Sequence, residues 1–109
     1  MQDGIYAISF STPLGEGTGV AFLRGGILEG GDAAVFYKGN YTLDGSNFKA
    51  TVKTGTHSHP PGQFNVMGRD SVTLTLHGSF DGGINATAQG TAPEAPGVNI
   101  AVKMKRVAD

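Results

Sequence analysis

Apolar and polar residues alternate one by one along most of this chain, and turns containing glycine break the alternation about every ten residues. Helical i, i+3, i+4 spacing is hard to find. The pattern predicts a meander of antiparallel hairpins. A first strand runs from Gly4 to Ser11 with Tyr6, Ile8 and Phe10 on one face, and Thr12-Pro13-Leu14-Gly15 turns the chain. A second strand covers Gly19 to Arg24. Gly25-Gly26 suits a two-residue turn into a third, Ile27 to Gly31, in which Gly30-Gly31 marks a bulge or sharp bend. The segment Ala33 to Leu43 contains a fourth strand. Asp44-Gly45 then turns into a fifth, Phe48 to Lys53, with Phe48, Ala50 and Val52 facing inward and Lys49, Thr51 and Lys53 facing water.

A sixth strand, Ser71 to Phe80, points Val72, Leu74 and Leu76 inward, and Asp81-Gly82-Gly83 turns into a seventh, Ile84 to Thr91, with Ile84, Ala86 and Ala88 inward. Pro93 and Pro96 interrupt pairing before a last strand, Val98 to Val107, whose Val98, Ile100, Val102 and Met104 share a face. Eight short strands with one apolar face bury it best by curling until the first strand meets the last. The expected fold is all-β: an eight-stranded antiparallel barrel of lipocalin or calycin type, with a two-sheet sandwich as the alternative.

At 109 residues the chain is expected to form one domain, 1–109, with a core that needs no staples, and it contains no cysteine. The 18 glycines suggest many tight turns. A net charge of −1 and a pI near 6.2 give no field for nucleic acid or an anionic membrane, so neither is an expected partner. No run approaches the roughly 18 apolar residues of a membrane span. The start Met1-Gln2-Asp3-Gly4 lacks the basic residues and apolar stretch of a secretory signal, and cytoplasmic location is the expectation.

Candidate chemistry is sparse. The longest irregular segment, Thr54 to Asp70, carries His57 and His59, and with His77 as a third imidazole a zinc site is conceivable; solvated loop histidines are the default, and no metal or cofactor is expected. Phe64, Val66 and Met67 are apolar residues in the same loop, and they either cover the barrel mouth or contact a partner. Gly15-Glu16-Gly17-Thr18-Gly19 resembles a phosphate-cradling loop, but the following Val20-Ala21-Phe22-Leu23 reads as strand rather than helix. Neither a nucleophile elbow nor an acid–base carboxylate pair is recognisable, so no enzyme is expected. Lys38, Lys49, Lys53, Lys103, Lys105 and Arg106 read as the wet face, and Phe10, Phe22, Phe36, Phe48 and Phe80 as filling for the lumen.

The opening Asp3-Gly4-Ile5-Tyr6-Ala7-Ile8-Ser9-Phe10, the Gly15-Glu16-Gly17 turn, Gly30-Gly31-Asp32 and Phe36-Tyr37-Lys38-Gly39 together resemble the GrlR-like family, negative regulators of type III secretion genes. The resemblance is clearest over residues 3 to 52. It implies a lipocalin-like barrel with an apolar interior, a homodimer, and sequestration of a helix-turn-helix transcriptional activator. Characterised members carry an acidic run where this chain has Leu43-Asp44-Gly45-Ser46-Asn47, and only Asp44 remains here, with Glu29 and Asp32 as partial substitutes. The leading expectation is therefore a regulatory module that binds a protein partner, with Asp44, Phe64, Val66 and Met67 as its contact residues. The alternative is a carrier or sensor of a small apolar ligand.

Overall fold

A computed structural model of the chain describes residues 2–61, 66–81 and 84–109. Eight strands follow one another: β1 (Gly4–Thr12), β2 (Gly15–Arg24), β3 (Ile27–Gly31), β4 (Val35–Asp44), β5 (Asn47–Thr56), β6 (Ser71–Asp81), β7 (Asn85–Thr91) and β8 (Ile100–Ala108). Each pairs antiparallel with the next, and β8 pairs back on β1 from Ser11↔Ala101 to Ile5↔Ala108, with a bulge between Ile5 and Tyr6. The sheet is thus a closed eight-stranded barrel and not a sandwich. Among the described residues no helix is long and apolar enough to cross a membrane.

Strand alternation places the core as expected for Tyr6, Ile8, Phe48, Ala50, Val52, Val72, Leu74, Leu76, Ile100, Val102 and Met104, all of them buried. Several expectations need correction. The glycine-rich stretch from Gly15 to Gly19 is neither turn nor loop but the first half of β2, paired with β1 from Thr12↔Gly15 onward. Phe22 and Phe36 do not fill the lumen. Their positions alternate with the inward Ala21, Leu23, Val35 and Tyr37, so they stand on the outer wall, 48% and 41% exposed. Ile84 is also outside, at 51%, because β7 begins only at Asn85 and Ile84 belongs to the turn, its N–H donating to the Asp81 carbonyl at 3.0 Å. The lysines do stand on the wet face as expected, Lys38, Lys49 and Lys53 on the wall of β4 and β5 and Lys103 and Lys105 on the opposite wall of β8.

The glycine excess is only partly a matter of turns. Gly25 and Gly45 do take the positive φ that tight hairpins require. Gly30, Gly39, Gly78 and Gly90, however, lie at inward strand positions, where an added Cβ would land on the backbone of the next strand: Gly39 on the Thr51 carbonyl oxygen, Gly78 on that of Thr87. A barrel of so few strands must coil tightly, and it bends where no side chain stands between adjacent backbones.

The two ends of the barrel differ. At the end holding the Gly25-Gly26 and Gly45-Ser46 turns, Tyr6, Leu23, Tyr41 and Phe48 close the floor, and the Tyr6 hydroxyl donates to the Gln2 carbonyl at 2.6 Å. The opposite end collects the β1–β2 hairpin, the β3–β4 turn, and the longer β5–β6 and β7–β8 connections. The last of these caps the wall through buried Ala92 and Ala95 and is tied to β6 by the Thr73 N–H donating to the Glu94 carboxylate at 3.1 Å.

Candidate ligand cavity at the open end

Because large side chains crowd the floor and glycines line the upper wall, the barrel encloses a cavity of about 560 Å³ that opens at the hairpin end. Its lower walls are aliphatic: Ile8, Leu28, Val52, Leu74, Ile100 and Val102. The expected filling of the lumen by aromatics is therefore corrected. Of the five phenylalanines named for it, only Phe10 lines the cavity, and its ring folds over Gly17, where a Cβ would have met it. That fold puts Phe10 edge-on to Tyr37, with ring centroids 6.3 Å apart and planes at 87°.

The rim is built around Asp32. Its Oδ1 accepts the N–H groups of Ala34 and Val35, both at 2.8 Å, which shapes the β3–β4 turn. Its Oδ2 accepts the Tyr37 hydroxyl at 2.5 Å. Burial first, then this hydrogen bond to a carboxylate, push the Tyr37 phenol far above its ordinary range. Gly19 lets the pair sit there, since a Cβ would come within 2.6 Å of the Tyr37 oxygen. Thr54 is the direct cross-strand neighbour of Tyr37 on the same inward face. It is only 6% exposed, and its hydroxyl has no hydrogen-bond partner among the described residues. Thr54, Tyr37 and Asp32 thus make one polar strip on the cavity wall, and Glu16 and Thr18 add polar groups along the β2 border.

The cavity also opens sideways. β3 is short and pairs with β2 only from Val20 to Arg24, so Gly15–Gly19 has β1 on one side and no described strand on the other. The cavity lining follows both borders of this gap, Glu16 to Val20 and Gly31 to Val35.

The residues singled out from sequence are not brought together. Val66 and Met67 are 8% and 4% exposed and line the cavity mouth, held there by the Thr12 hydroxyl donating to the Val66 carbonyl at 2.6 Å. Both are buried at the place that the first of the two expected roles, cover of the mouth, requires. Phe64 lies outside the described residues. Asp44 is exposed at the opposite, closed end, where it pairs with Asn47 across the turn. His57 is exposed, its Nε2 2.9 Å from the Asp32 carbonyl and its Nδ1 2.7 Å from the Ser58 hydroxyl, so a neutral ring donates from Nε2 and accepts at Nδ1. His77 sits six residues into β6, roughly 20 Å from the strand's start at this end. The described residues hold no group of three or more potential metal ligands.

Sequence reasoning missed Thr54, because the fifth strand was expected to stop at Lys53; continuing the Phe48, Ala50, Val52 alternation by one step would have found it. No protein-family model matches the chain, and no curated protein matches it either.

Proposed function

We propose that this barrel is a non-enzymatic binding module, acting in the cytoplasm, that holds one small, largely apolar molecule in its lumen as a carrier or sensor. The cavity carries the reading. Its volume of about 560 Å³ lies within the usual span for ligand sites, and its aliphatic walls with one polar strip match their usual make-up. At ~30 Å³ per heavy atom it accommodates a molecule on the order of 15 to 20 such atoms. Titration with N-phenyl-1-naphthylamine, a neutral fluorophore of about that size, tests the proposal. The expected result is saturable enhancement at one probe per chain in the micromolar range, lost in Val102→Phe, which fills the lumen while the variant still melts cooperatively. Enhancement that never saturates, or that survives the filled lumen, overturns it.

A second reading, regulation through a protein partner or a second copy as in the GrlR-like family, is favoured by the outer wall. Val20, Phe22, Ile27 and Phe36 are exposed apolar residues on adjacent strands β2 to β4. Sedimentation of the wild type against Phe22→Ser separates the two: a dimer that dissociates in the variant supports the interface, and a monomer in both removes the homodimer from consideration.

A further inference from the structure

The cavity has a chemical bias in addition to a size, and it bears on which amphiphile the proposed lumen would take; the inference rests on that proposal. Three observations combine. First, the charged side chains among the described lining residues are the acids Glu16 and Asp32, with no lysine, arginine or histidine among them. Second, Thr54 presents a hydroxyl, buried to more than nine-tenths and without a described partner, within this lining. A buried hydroxyl left unpaired is costly, and a ligand group able to donate to it or accept from it relieves that cost. Third, Thr54 adjoins Tyr37 by register, and the Tyr37 hydroxyl is already committed to Asp32. The strip therefore offers lone pairs of Thr54, Tyr37 and Asp32, one donor hydrogen on Thr54, and no cation.

We propose that the lumen selects amphiphiles with a neutral or cationic hydrogen-bonding head, a primary alcohol or amine on an aliphatic body, and discriminates against carboxylates. The aliphatic body lies along Leu28, Val52, Leu74 and Val102, and the head meets Thr54 beneath the Tyr37–Asp32 pair. A hydroxyl both donates to and accepts from Thr54. An ammonium donates to Thr54 and gains from the nearby Asp32 carboxylate. A carboxylate loses its hydration, finds a single donor, and faces Asp32 with like charge.

A matched series tests this: 1-decanol, decylamine and decanoate, each displacing N-phenyl-1-naphthylamine from the full chain at pH 7.5, on the wild type, Thr54→Val and Thr54→Ser. Decanol and decylamine are expected to displace the probe at concentrations at least tenfold below decanoate. Thr54→Val is expected to weaken decanol about fivefold or more relative to its effect on the probe, and Thr54→Ser is expected to retain decanol. Decanoate binding as well as decanol, or decanol indifferent to Thr54→Val, overturns the head-group selection and leaves the lumen proposal standing. A wild type that takes neither the probe nor any of the three overturns the lumen proposal, and the selection with it.

Discussion

The Tyr37 hydroxyl donates a hydrogen bond to Asp32 at 2.5 Å across the β3–β4 turn, and the same carboxylate organises that turn through the N–H groups of Ala34 and Val35. One acid therefore both shapes the rim of the barrel and anchors an aromatic in its mouth. Tyr37→Phe keeps the ring on Phe10 but strips Asp32 Oδ2 of its partner. The expected cost is about 2 kcal/mol, read by urea denaturation.

Alkaline pH probes the same bond. The folded-state pKa of Tyr37 is raised, so its contribution to stability is complete below the unfolded phenol value near ~10 and is lost as pH rises above it toward the folded value. Tyr6 is shifted the same way, chiefly by burial. Absorbance at the phenolate band is expected to show Tyr37 ionising only as the chain unfolds and Tyr6 ionising later than a free phenol, and Tyr37→Phe is expected to flatten the alkaline branch of the stability curve.

Gly39 and Gly45 separate the two uses of glycine. Gly39→Ala drives a Cβ into the Thr51 carbonyl oxygen, backbone that cannot step aside, and is expected to cost about 3 kcal/mol or prevent folding. Gly45 has positive φ and open space around it, so Gly45→Asn, a residue that tolerates that conformation, is expected to cost under about 1 kcal/mol. Thermal melts of the two variants side by side check the contrast.

The strap over the mouth has its own handle. Thr12→Val removes the hydrogen bond to Val66 and the Thr12 Oγ1 acceptor that the Leu14 N–H uses at 3.0 Å. Stability is expected to fall by about 1 kcal/mol. Stopped-flow dissociation of a lumen-bound probe is expected to quicken, since Val66 and Met67 then cover the opening less firmly.

How far the fold was legible follows from these particulars. Strict alternation in β5 and β6 reads directly because Val52 or Leu74 is flanked by polar neighbours. In β2 and β4 it fails as a guide to facing, because Phe22 stands between Ala21 and Leu23, and Phe36 between Val35 and Tyr37, so that both faces are apolar. Gly17 and Gly19 hid the start of β2, since inward positions without side chains leave no period to read; Phe10 from the neighbouring strand covers the first and Tyr37 from β4 the second. The cavity was the least legible feature. A lumen left open above Phe48 depends on Phe22 and Phe36 facing outward, and a single sequence carries no direct record of that.

The glycines that let adjacent strands touch also divide the molecule's capacity for change. At Gly30, Gly39, Gly78 and Gly90 any larger residue collides with backbone, so the bore of the barrel is held by positions that natural variation would find almost closed. Leu74, Val102 and Thr54 line the lumen, where a changed side chain has open space to enter. Descendants of such a chain would diverge in what they hold long before they diverged in shape.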